Sequence, residues 1–85
     1  MERRIRFTRS ARKHRIGVAR VRAAMENAGE PEIVPAVSPE TDDRLFWIGM
    51  DDRGVELEVV GLIRADGTLL IIHAMPTFYR RPRGP

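Results

Sequence analysis

The sequence predicts a small α+β domain: N-terminal helices packed on a small antiparallel β-meander, in two layers. Three observations carry that prediction. A helix-forming stretch follows the first strand and stops at Ala28-Gly29. Three largely apolar segments, 44–50, 55–63 and 68–75, then follow one another with only turns between them. With 85 residues, 42% of them hydrophobic, the chain has material for one core and none for a second.

Taken in order, residues 3–7 alternate arginine with Ile5 and Phe7, which is the pattern of a half-buried edge strand. Thr8 or Ser10 then offers a hydroxyl to cap a helix. Gly17 is costly inside a helix, by about 1 kcal/mol relative to Ala. A first helix over 9–15, a break at Ile16-Gly17 and a second helix over 18–28 accommodate it. One kinked helix is the alternative. With Gly17 as N-cap, Ile16 and Val21 have the hydrophobic-staple spacing. The second helix then buries Val21, Ala24, Met25 and Ala28, and leaves Arg20 and Arg22 outside that face.

Residues 29–43 carry three of the six prolines and read as loop, with a short edge strand near Ile33-Val34 and Ala36-Val37. Arg44–Met50 is a strand, and 51–54 a turn in which Gly54 is free to take positive φ. Over 55–63, Val55, Leu57 and Val59 share one face, and Glu56 and Glu58 read as solvent-facing. Asp66-Gly67 is a hairpin signal. Thr68–Met75 is the last strand, which Pro76 ends, with His73 on the face of Leu69, Ile71 and Met75. Residues 77–81 suit one helical turn. The domain is 1–81, with 82–85 as a flexible tail.

Charge is segregated along the chain. Residues 1–22 hold nine basic side chains and one acid, 23–76 three basic and eleven acidic, and 77–85 three arginines. Fourteen of the fifteen basic residues are Arg, whose planar fork suits bidentate phosphate recognition. Arg9, Arg12, Arg15, Arg20 and Arg22 therefore form a candidate surface for RNA or an acidic partner. The alternative is a solvated face. Cysteine is absent, so disulfide staples and cysteine zinc sites are excluded. No apolar run approaches the roughly 18 residues needed to span a bilayer, and the start carries no signal-peptide pattern. A cytoplasmic protein is expected.

P-loop, dinucleotide-binding and serine-nucleophile motifs are all missing. A metal site on the two histidines would need carboxylates that nothing in the sequence marks, and no cofactor is expected. What remains is Lys13, His14, His73, Tyr79, Arg80 and Arg81, a set of proton carriers and cations. Metal-free RNA cleavage needs a base for the 2′-hydroxyl, cations for the phosphorane and an acid for the leaving oxygen. His, Lys, Arg and Tyr supply those roles, and Glu can supply a base. Each also has an ordinary structural use: His73 in a half-buried strand, His14 at a helix C-terminus.

The order of motifs resembles a family. Arg12-Lys13-His14, then Arg44-Leu45-Phe46-Trp47-Ile48-Gly49, a turn with Gly54, Ile71-Ile72-His73-Ala74 and a basic tail look like the BrnT toxins. These belong to the RelE-like ribonuclease toxins of bacterial type II toxin–antitoxin operons. The resemblance covers residues 5–81. It implies mRNA cleavage without metal or cofactor, on or off the ribosome, and inhibition by a cognate antitoxin, with either a homo-oligomer or a toxin–antitoxin hetero-oligomer as the assembly. It maps the family's Lys-His pair onto Lys13 and His14, and its basic C-terminal segment onto Arg80 and Arg81. The chain departs from the family at Met75, where the family has arginine. Either His73 and Arg80 take over, or the protein is a non-catalytic RNA-binding or protein-interaction module of the same fold.

Overall fold

Residues 4–36 and 42–80 are described by the computed structural model, the Arg80 side chain excepted. The alternating segments become a five-stranded mixed sheet in the order β1-β5-β4-β3-β2. Its strands are β1 (Ile5–Phe7), β2 (Glu32–Val34), β3 (Arg44–Met50), β4 (Glu56–Ile63) and β5 (Leu69–Pro76). Among the described residues one helix, α1 (Val18–Ala28), and two 3₁₀ turns, Ser10–Arg12 and Thr77–Arg80, accompany the sheet.

The expected antiparallel meander is present as β3-β4-β5. It is extended on one side by antiparallel β2 and on the other by β1, which runs parallel to β5. Parallel pairing makes the sheet mixed rather than purely antiparallel. It satisfies the free edge of β5: Leu69 N–H donates to the Arg4 carbonyl, and Thr8 N–H to the Ile71 carbonyl. Pro76 does not end β5 before its last pair, since it lies opposite Leu57 in register.

The expected helix over 9–15 is only a 3₁₀ turn, Ser10–Arg12. Ala11 is the one apolar side chain in that segment and the one it buries, so no apolar stripe rewards further turns. Thr8 Oγ1 accepts the Ala11 N–H at 3.2 Å. The second helix has the expected limits, Val18–Ala28, with extended Gly17 (φ −68°, ψ 158°) at its N-cap. Ile16 and Val21 are both buried in the core, as a staple requires.

The register sorts the sheet into two faces. On the inner face, under α1, lie Trp47, Leu57, Val59, Leu69, Ile71 and Ala74, all buried. Gly49 shares that face, and a Cβ there would stand 2.8 Å from the Ala28 nitrogen, so glycine is what lets α1 lie so close to β3. The outer row is also largely apolar: Phe46 and Ile48 on β3, Val60 and Leu62 on β4, Leu70 and Met75 on β5. Ile48 is 49% exposed and Met50 51%.

The β3–β4 turn is tied to α1 by Asp51. Its Oδ1 accepts the N–H groups of Arg53 and Val55, at 2.8 and 2.9 Å. Its Oδ2 takes Arg20 Nε at 2.7 Å. Burial opposes its ionisation, but the Val55 N–H, the Arg20 guanidinium and the Arg53 N–H outweigh burial and hold the carboxyl below its ordinary range. Among the described residues no helix is long and apolar enough to cross a membrane.

Candidate functional site: a histidine pair on the outer edge of the sheet

Two local features bring His14 and His73 together. Parallel pairing of β1 with β5 ends at Phe7–Ile71, so the first 3₁₀ turn packs alongside the second half of β5. Arg15 then takes φ 57°, which is uncommon without a glycine, and turns the chain from half-buried His14 to buried Ile16. The second feature is a register shift. Gly61 pairs with Ile71 but Val60 with His73, leaving Ile72 as an extra residue on β5. The bulge moves His73 off the face of Leu69 and Ile71 and onto the outer face with Val60 and Met75. This corrects the expectation that all four side chains of the strand point one way.

The His14 and His73 ring centroids are 6.4 Å apart, with the planes at 82°. Rings at that separation are beyond direct hydrogen-bond reach but close enough to act on two oxygens of one phosphate. Tyr79, on the second 3₁₀ turn, stands 5.3 Å from the His14 ring, and Phe78 stacks edge-on against Tyr79 at 4.7 Å. Thr77 anchors that turn by donating its hydroxyl to Glu56 Oε1 at 2.7 Å.

Glu58 is the member sequence reasoning missed. Alternation with Leu57 and Val59 places it on the outer face, as expected, yet it is only 1% exposed. Ile48 and Met75 lie opposite it on the two neighbouring strands. Its Oε2 is 2.8 Å from His73 Nε2. The available signal was faint: on the alternating face of β4, Glu58 stands between a second acid, Glu56, and the apolar Val60 and Leu62. The tautomer of His73 sets donor and acceptor in this contact: with an ionised carboxylate, which only accepts, Nε2–H donates and a neutral ring carries its lone pair on Nδ1.

The remaining sequence-picked residues are spread out. Lys13 is exposed beside His14 and caps the 3₁₀ turn through its backbone. Arg9, Arg12 and Arg15 are exposed on the same segment. Arg20 is committed to Asp51 and Arg22 is exposed on α1, so these two stand apart from the histidines in the helix layer. The backbone of Arg80 closes the second 3₁₀ turn; its side chain, all of Arg81 and the tail 82–85 lie outside the described residues. Among the described residues no group of three or more His, Cys, Asp or Glu is arranged to hold a metal ion. No family model, curated protein or solved structure matches the chain.

Proposed function

We propose that the chain is an endoribonuclease of the RelE/BrnT-like kind, the toxin of a type II toxin–antitoxin pair acting on mRNA without a metal. The observation that carries this reading is the juxtaposition of His14, His73 and Tyr79 with Glu58 behind His73. In the proposed reaction Nδ1 of His73 takes the proton of a ribose 2′-hydroxyl. That oxygen attacks the adjacent phosphorus, His14 protonates the departing 5′-oxygen, and a 2′,3′-cyclic phosphate and a 5′-hydroxyl result. Glu58 holds the imidazole in the required tautomer and favours the imidazolium that forms. Lys13, Arg80 and Arg81 are assigned to the charge of the phosphorane.

A second reading has its own observation. The outer face exposes Val34 (43%), Ile48 (49%) and Met50 (51%), which suits a module that works by contact, and Met75 replaces the arginine the resemblance expects. One experiment separates the two readings. Purified protein is incubated with single-stranded RNA in EDTA, and 2′,3′-cyclic ends are assayed for the parent, His14→Ala and His73→Gln. The ribonuclease reading expects cleavage by the parent, a loss of about 10²–10⁴-fold in each variant, and RNA affinity nearly intact in His73→Gln. RNA bound by the parent but never cut favours the contact module.

A further inference from the structure

Three arginines absent from the sequence-picked set converge at the far end of β5. Arg4, Arg6 and Arg64 line a cleft of about 480 Å³, together with Asp66, Thr68 and Leu70. Arg4 precedes β1, Arg6 lies opposite Leu70 across the β1–β5 pairing, and Arg64 follows β4. Asp66 is the single acid in the lining. The N–H and hydroxyl of Thr68 hold its carboxyl below the ordinary range, so it stays ionised and offsets one of the three guanidinium charges. Arg64 also faces Asp42 at 3.9 Å, with both side chains about half exposed (53% and 47%), a contact an anion can displace.

The cleft does not stand alone. A second hollow of about 350 Å³ shares its Arg6 and Leu70 and adds Arg12. Arg12 is two residues before His14, and Leu70 is three before His73. Guanidinium groups therefore recur along the β1 edge, from Arg64 and Arg4 through Arg6 to Arg12 on the segment that carries His14.

We infer that the Arg4–Arg6–Arg64 cleft is a phosphate-binding subsite for single-stranded RNA whose backbone runs along β1 to the histidines. The inference rests on the ribonuclease reading for the identity of its ligand. An acidic protein segment would also meet arginines here. RNA is favoured because the two hollows share Arg6 and set cations in succession along the β1 edge, from Arg64 to Arg12, as the repeating phosphates of a strand require.

The test follows binding rather than cleavage. Fluorescence anisotropy of a labelled single-stranded RNA is measured over a salt series for the parent, Arg64→Ala, the double variant Arg6→Ala/Arg64→Ala, and Arg53→Ala. Arg53 is exposed in the β3–β4 turn and bonds Asp51 through its backbone N–H, so its truncation is an equal charge change elsewhere. Each neutralised phosphate contributes about 0.7 to the log–log salt slope on a single strand. The double variant is expected to lose about 0.7–1.4 of slope, Arg64→Ala a part of that, and Arg53→Ala none. Arg64→Ala leaves β1 untouched and keeps the test valid should the double variant unfold. An unchanged slope in both cleft variants, an equal loss in Arg53→Ala, or no RNA binding by the parent at low salt overturns the subsite. Displacement of the RNA by polyglutamate at matched charge overturns it in favour of an acidic protein. A slope change in a protein that cleaves nothing supports the subsite and overturns only the ribonuclease reading.

Discussion

Asp51 and Glu58 are both buried carboxylates holding a basic side chain, one on the helix side of the sheet and one on the other face. Asp51 grips Arg20, which cannot lose its charge, and also takes two backbone N–H groups of its own turn. Glu58 grips His73, an imidazole whose side chain is 31% exposed, with a second imidazole 6.4 Å away. The first arrangement fixes a charge and closes a turn. The second holds a partly exposed ring beside another imidazole. The same device, a buried acid, closes a turn in one place and, on the ribonuclease reading proposed above, orients a proton carrier in the other.

The largest effect is expected at Asp51. Asp51→Ala leaves a mostly buried guanidinium and two turn N–H groups without their acceptor, and breaking a buried pair costs about 3–5 kcal/mol. Urea melts should show that loss. The pH dependence has a definite sign. The folded-state pKa lies below the ordinary 3.8, so the stabilisation is complete well above that value and is lost as pH falls through it toward the folded value. Asp51→Asn should flatten the acid limb of a stability–pH curve. A variant that melts like the parent at pH 7 would break the architectural half of the comparison.

Glu58 should behave differently. Glu58→Gln keeps the shape and a hydrogen-bonding oxygen but lets His73 adopt the other tautomer. The expected result is a fall in kcat of about tenfold to a hundredfold, below the full value of general acid–base catalysis, with KM nearly unchanged. Ring ¹⁵N shifts of His73 should move toward the other tautomer in the same variant. A change in KM alone, or an unmoved tautomer, would remove the positioning role. Loss of stability comparable to that of Asp51→Ala would make the two carboxylates equivalent.

Gly49 sharpens the architectural side at a middle magnitude. Gly49→Ala drives a methyl group into Ala28 and the α1 backbone, and overpacking of this kind typically costs about 1–3 kcal/mol. Thermal melts should record that loss, while the Glu58–His73 contact on the opposite face should keep its NMR signature. Loss of that signature would show that the two faces are not independent.

How much of this was legible in the sequence follows the same division. β3, β4, their turn and α1 with its Gly17 cap could be read because alternation, turn glycines and a staple are local signals. The parallel β1–β5 pair was not legible, since nothing local distinguishes a strand that joins a hairpin from one that returns to the far edge. His14, His73 and Tyr79 were legible as residue types. Their meeting was not, because it depends on that pairing and on an extra residue at Ile72 that leaves no mark in the alternation. Glu58 was hidden for a third reason. Its direction is a local property, but its burial depends on what the two neighbouring strands bring beside it, where Ile48 and Met75 are its register partners.

The smallest expected effect lies at the joint between the two regions. Lys13, His14 and Arg15 belong to the edge that carries the site, and α1 carries Arg20 to Asp51; Gly17 connects them. Its backbone is extended, at φ −68° and ψ 158°, which alanine adopts without strain, and an added Cβ meets nothing within 4 Å. Gly17→Ala narrows the unfolded ensemble, a gain of about 0.4–1 kcal/mol. Against this, alanine is a poorer N-cap than glycine by a similar amount. The two should leave a net change within about 0.5 kcal/mol, a shift of only a few degrees in Tm. Cleavage and the Asp51 acid limb should both stay at parent values. A clear gain in Tm would mean that the helix extends back through Gly17, because only a mid-helix glycine returns about 1 kcal/mol on replacement by alanine. His14 would then be held by a continuous helix running from the site to Arg20. The two carboxylates would be parts of one rigid unit rather than two regions with separate tasks.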